Sequence, residues 1–160
     1  MAAPFIPTRI NIQLIGSLHE SSMPTILLIS RNPDFRESLQ RNLQTAGRTF
    51  MSLASAHDIL HPQGRHIARG YDLIVAEVRT DDHDGLTGLV LLRQLHATTS
   101  LIAVTQQHGQ AGADFAAAAA RTLRGRLCPL LFDSHEDLRA IVAQELSGES
   151  PTAGDQKKSA

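Results

Sequence analysis

The chain has 160 residues, a formal net charge of −1, one cysteine, one tyrosine and no tryptophan. That length suits one domain, which buries roughly 70% of the surface its unfolded chain exposes and needs no metal or disulfide to staple it. A near-neutral charge with scattered bases and few aromatics argues against a nucleic-acid platform and against attraction to acidic lipid.

The lone Cys128 has no intramolecular disulfide partner, so it fits a reducing compartment and a place in the core. No apolar run approaches the ~18 residues of a membrane span. Arg9, Asn11 and Gln13 interrupt the hydrophobic residues of the N-terminus, which therefore lacks a secretory pattern. The expectation is a cytoplasmic protein with no cofactor.

Residues 1–22 form an N-terminal extension. Within it Ile10, Ile12 and Leu14 alternate with Asn11 and Gln13, which fits an edge strand, an arm docking on a partner, or a floppy leader. A regular alternation of elements fills residues 23–147. Thr25 to Ile29 predicts a short apolar strand. Asn32 then offers an N-cap, Pro33 the first helical position and Asp34 a favourable charge for the helix dipole. Phe35, Leu39, Leu43 and Ala46 recur at helical spacing, and Gly47 closes the helix. Thr49 to Ala54 reads as a second strand. A weaker helical region runs from Ala56 to Arg69, interrupted by Pro62 and Gly64.

Tyr71 to Val78 is the strand around which the chain is organised. It is an almost continuous apolar run, as expected of a strand covered on both faces, with the single carboxylate Glu77 near its end. Ligands and chemistry gather at the carboxyl ends of such strands in open α/β sheets. A polar, acidic loop from Arg79 to Leu86 follows. Leu89, Leu91, Leu92 and Leu95 then mark a helix, and Leu101 to Thr105 a fourth strand. Gly112 to Leu123 reads as an alanine-rich helix and Leu127 to Phe132 as a fifth strand. In the last helix Ser134 stands as cap with Asp137 three residues on, and Leu138, Ile141, Val142 and Leu146 form the buried stripe. Residues 148–160, rich in Gly, Ser, Pro and Lys, read as a disordered tail. Strands and helices alternating five times predict a doubly wound α/β fold, a five-stranded parallel sheet with helices on both faces.

Several of these pieces resemble the response-regulator receiver family (CheY-like). Ile26 to Leu39 resembles its opening strand and helix, and Tyr71 to Val78 its third strand. Thr87, Gly88 and Leu89 with Leu91, Leu92 and Arg93 resemble the start of its third helix. Leu101 to Thr105 is similar to its fourth strand, which ends in Thr or Ser. The resemblance implies the flavodoxin-like strand order 2-1-3-4-5, with the first and third strands adjacent.

It also identifies departures. Where the family has two acidic residues that hold a divalent cation, this chain has Ser30 and Arg31. Glu77 stands where the family has its phosphoacceptor aspartate. Leu130 stands in place of the lysine that pairs with the phosphate, and Leu127 in place of the switch aromatic. Thr105 is retained. The loop after Glu77 reads as longer than the family's.

Phosphoryl transfer to a carboxylate needs a bridging cation and fixed positive charge. Ser30, Arg31 and Glu77 sum formally to zero, and Arg31 would repel a metal ion. The extra methylene of Glu77 displaces its carboxylate, and a shift of about 1 Å can cost on the order of 100-fold in a positioned reaction. Two readings of Glu77 stay open. It either imitates a phosphorylated aspartate or pairs with Arg31 across the first and third strands. Such a pair would gain about 4 kcal/mol at ~4 Å before desolvation is subtracted, and it is the reading the charges favour.

Other candidates carry less. His57 and His61 have the i,i+4 spacing of a zinc pair, but no third ligand is evident and Pro62 disturbs the helix. Asp81, Asp82, His83 and Asp84 read as a solvated acidic loop. Ser30 to Pro33 lacks the glycines of a phosphate cradle, and no serine sits in a nucleophile-elbow pattern. No metal site and no enzymatic activity are expected. Five alanines after Phe115 allow close helix approach, so Phe115, Ala116, Ala119 and Leu123 are candidate interface residues, on the face that the resemblance assigns to dimerisation and docking.

The expected function is that of a phosphorylation-independent, receiver-like signalling adaptor acting on a protein partner or as a homodimer. Alternatives are an anion or small-molecule sensor using the crevice beside Arg31, and a weakly phosphorylatable regulator.

Overall fold

The computed structural model describes residues 23–45, 47–60, 71–130 and 135–148. Five strands carry the fold: β1 (Thr25–Ile29), β2 (Thr49–Leu53), β3 (Leu73–Glu77), β4 (Ser100–Thr105) and β5 (Arg126–Pro129). Between and after them run α1 (Pro33–Leu43), α2 (His57–Leu60), α3 (His83–Leu95), α4 (Gln110–Thr122) and α5 (Glu136–Ser147). All strand pairs are parallel and the order is β2-β1-β3-β4-β5, as expected.

The continuous apolar runs have a plain cause. Successive side chains of a strand point to opposite faces, and here both faces are covered. Leu27, Ile29, Ile74, Ala76, Leu101 and Ala103 share one core with Ile59 of α2, Leu89 and Leu92 of α3, and Ala116 and Ala120 of α4. Ile26, Leu28, Leu73, Val75, Ile102 and Val104 share the other with Phe35, Leu39 and Leu43 of α1 and Leu138 and Val142 of α5. Cys128 is buried in this second core, and burial raises its thiol pKa.

Local chemistry sets the ends of the helices. The Asn32 side chain accepts from the backbone N–H groups of Asp34 and Phe35 at 3.0 and 3.3 Å, with Pro33 next, so α1 starts where the sequence predicts. It ends earlier, at Leu43, with Gln44 extended; Gly47, at φ 88°, serves the turn into β2 and not the helix cap. The segment read as a loop from Arg79 to Leu86 is shorter. Asp82 caps α3 by accepting from Gly85 N at 3.0 Å, and an aspartate cap competes well enough to start the helix at His83. β5 begins at Arg126. At α5 the N-cap position is His135, with no side-chain cap bond. The readings of residues 1–22, Ala46, 61–70, 131–134 (with the Ser134 cap) and 149–160 lie outside the described residues.

Candidate functional site

The register of β1 on β3 builds the crevice. Ile29 is level with Ala76, so the next residue on each chain, Ser30 and Glu77, come side by side at the carboxyl end of the sheet. Both are buried, and the Glu77 side chain is only 3% exposed. The Ser30 hydroxyl donates to Glu77 Oε2 and accepts from Asn32 N at 3.1 Å. Ser30 N donates to Leu53 O at 3.1 Å, and Arg36 Nη1 donates to Ser30 O. One serine thus links β2, the α1 cap and the buried carboxylate.

The pairing of Glu77 with Arg31 does not form. Arg31 points outward, its side chain 67% exposed, and bonds Asp82 at 3.1 Å. Glu77 instead meets Arg79, whose Nη1 lies 3.6 Å from Oε1. Arg79 also holds both oxygens of Asp81, through Nε at 2.8 Å and Nη2 at 2.9 Å. That fork lowers the Asp81 pKa and raises that of Arg79, hydrogen bonding between the two being the main cause in each. The reason is geometric. Residues two apart in an extended chain share a side, which brings Arg79 back toward Glu77, whereas Arg31 lies past the end of β1 and reaches the α3 cap.

The acidic loop is therefore not simply solvated. Asp81 is bound by Arg79, Asp82 by Arg31 and by its capping bond, and His83 and Asp84 stand in the first turn of α3. The groove over these groups, about 250 Å³, is lined by Arg31, Asn32, Arg79, Asp81 and Asp82. Two guanidinium groups face two carboxylates around it.

A second lock closes the crevice from the β4 side. The Gln107 side chain accepts from Thr80 N and donates to Thr80 Oγ1, both at 2.8 Å, while Gln107 N donates to Thr105 Oγ1 at 3.2 Å. The buried Thr105 is thus engaged in holding the β4–α4 loop. Leu130 is buried in the second core and Leu127 packs half-buried against the first. Neither offers a charge or an aromatic ring to the crevice.

A divalent cation, the group that the receiver resemblance implies, does not fit these residues. One Glu77 oxygen takes the Ser30 hydroxyl and the other faces the Arg79 guanidinium at 3.6 Å, and the flanking positions carry a hydroxyl and a guanidinium in place of carboxylates. Among the described residues no group of three or more His, Cys, Asp or Glu could hold a metal ion. His57, one of the two histidines at zinc spacing, places Nε2 3.0 Å from Asp84 O and packs its ring against Gly88; His61 is outside the described residues.

The alanine face is corrected too. Ala116, Ala119 and Leu123 are buried in the core under α4, and Phe115 is half-buried. Small residues there let α4 approach its own sheet, which takes them out of reach of a partner helix. Among the described residues, the large apolar side chains that remain exposed are Met23, Leu91 and Leu95. The sequence reading missed Arg79 and Gln107. The i,i+2 spacing of Glu77 and Arg79 was a legible signal; for Gln107 there was none, since its partner Thr80 lies on another loop.

No protein-family model matches the chain, and no curated protein matches it. Solved structures do. The chain is similar to the signal receiver domain of an HD domain-containing protein from Pseudomonas fluorescens Pf-5, at 19% identity and TM-score 0.62 over 92% of this chain and 94% of that one. A two-component response regulator from Clostridium difficile matches at 22% identity and TM-score 0.61 over 79% and 99%. The BeF3-activated receiver domain of DrrB, a Thermotoga maritima protein, matches at 17% and 0.60 over 78% and 98%. These likenesses establish the CheY-like fold.

Proposed function

We propose that the chain is a receiver-like signalling module that works without phosphorylation, by binding a protein partner or a second copy of itself, and that it is not an enzyme. The observation that carries this reading is the state of Glu77. Its carboxylate is buried, with one oxygen taking the Ser30 hydroxyl and the other facing the Arg79 guanidinium. An acceptor carboxylate must present a free oxygen to phosphorus beside a cation that bridges the reacting groups. Here one oxygen takes a hydrogen bond, the other faces a guanidinium at 3.6 Å, and Arg31 and Arg79 are bound to carboxylates. Leu130 contributes no charge to stabilise a phosphoryl group.

Reading Glu77 as an imitation of a phosphorylated aspartate finds less support, because the described crevice has no lysine or aromatic ring to respond to it. The anion-sensor alternative is also weaker, since Arg31 and Arg79 are already paired. Among the described residues no helix is long and apolar enough to cross a membrane.

The test uses the ligand that activates DrrB. Wild-type protein incubated with Mg²⁺ and a small acyl phosphate should keep its intact mass, and BeF3 with Mg²⁺ should leave its melting temperature unchanged. A phosphoryl adduct mapped to Glu77, Asp81 or Asp82 would overturn the proposal. Light scattering across a concentration series separates self-association from binding to a different protein.

A further inference from the structure

Arg79 stands between two carboxylates contributed by different parts of the crevice. It grips Asp81 of the β3–α3 loop through two nitrogens at 2.8 and 2.9 Å and presents the third to Glu77, the last residue of β3, at 3.6 Å. The neighbouring Asp82 is neutralised separately, by Arg31. A metal ion bound in such a crevice would gather carboxylate oxygens from the strand end and hold the loop to it. A guanidinium does comparable work with a planar fork of donors and a charge that does not titrate.

We infer that Arg79 is the resident counter-cation of the crevice, an intramolecular charge that fastens the β3–α3 loop to the end of β3 and makes the fold of this site independent of divalent metal. The inference rests on the phosphorylation-independent reading and deepens it by naming the group that occupies the electrostatic centre. Its consequence is an exchange of one cation for another. Without the guanidinium, Glu77 and Asp81 lose their shared counter-charge and Asp82 lies close by. Three carboxylates then stand against the single charge of Arg31, a net negative charge that magnesium or manganese would offset. Arg79 is partly exposed, its side chain 37% accessible, so a smaller side chain is tolerated sterically.

The experiment follows thermal unfolding of the full chain in EDTA and in MgCl2, with Mn²⁺ binding read by water-proton relaxation. Wild type should melt at the same temperature in both and show no crevice-bound Mn²⁺. Arg79→Met should melt several degrees lower in EDTA, recover part of the loss in MgCl2 and bind Mn²⁺. Arg79→Lys, which keeps the charge but not the fork, should melt between the two and bind no Mn²⁺. In a Glu77→Gln background, Arg79→Met should lose much of its effect, because one of the charges it served is gone.

The inference fails if wild type gains stability from magnesium and binds Mn²⁺ in a way that Glu77→Gln abolishes. It fails equally if Arg79→Met melts like wild type, loses stability without acquiring a metal response, or costs the same in the Glu77→Gln background. Mn²⁺ bound to a wild type whose mass never changes with a phosphodonor overturns this inference alone, whereas a phosphoryl adduct overturns the functional reading.

Discussion

The hydroxyl of Ser30 donates to Oε2 of Glu77, so the residue that closes β1 satisfies the buried carboxylate that closes β3. The Ser30 hydroxyl oxygen also accepts from Asn32 N at 3.1 Å, which couples Glu77 to the start of α1. Ser30→Ala removes both bonds and leaves a carboxylate oxygen short of a donor. The expected loss is about 1–3 kcal/mol. Urea unfolding should show a lower midpoint at an unchanged m-value; a midpoint equal to that of wild type would refute the coupling.

Asp81 supplies a pH dependence with a definite sign. Its folded pKa lies below the ordinary 3.8, chiefly through its hydrogen bonds from Arg79. A group depressed on folding contributes stability above its unfolded pKa and loses it as pH falls through the folded value. The wild type should therefore exceed Asp81→Asn in stability at neutral pH, and the gap should close on acidification below the ordinary carboxylate range. Salt should narrow it as well, since Asp81 is exposed. Paired unfolding curves across pH check this, and a gap that widens in acid would contradict it.

Arg93 is a buried cation held by backbone oxygens at the opposite end of the sheet. It donates to His96 O at 3.1 Å, to Thr99 O and to Arg124 O at 3.0 Å, tying the turn after α3 to the turn before β5. Burial lowers its pKa, with Arg124 adding to the effect. Arg93→Met leaves three carbonyls without this donor and should cost about 2–4 kcal/mol. Arg93→Lys should recover only part, because an ammonium cannot span that fork. Chemical denaturation of the two variants ranks them; equal stability of Lys and Arg at this position would reject the forked geometry.

The Gln107 clamp is a kinetic prediction. Its amide is the partner of Thr80 N and Thr80 Oγ1, and Thr80 N–H has no strand to protect it. In Gln107→Ala the Thr80 amide should exchange with solvent faster by an order of magnitude or more, while the amides of β3 are unaffected. Unchanged protection at Thr80 would mean that the two loops are joined by something else.

Much of this arrangement was legible beforehand. Asn32-Pro33-Asp34 is a cap signal written in consecutive residues, and the apolar runs at Thr25, Tyr71 and Leu101 mark strands covered on both faces. Ser30, Arg31 and Glu77 could be singled out beforehand because they sit at strand ends and because the resemblance to the receiver family implies other residues there. The start of α3 was misplaced because the acidic run at Asp81 to Asp84 reads equally as a loop and as a capped first turn. The alanine face of α4 was misassigned because small residues permit close approach to any surface, the protein's own sheet included.

What the sequence by itself determined is the order of elements, the burial of the three central strands and the absence of acidic residues directly after β1. These depend on periodicity and on neighbours within a few positions. That Glu77 meets Arg79 and not Arg31, and that Ser30, Gln107 and Arg79 each close one side of the crevice, was decided by the tertiary structure. A long charged side chain samples many directions, and only the register of β1 on β3 and the path of the loop behind it fix which carboxylate it reaches.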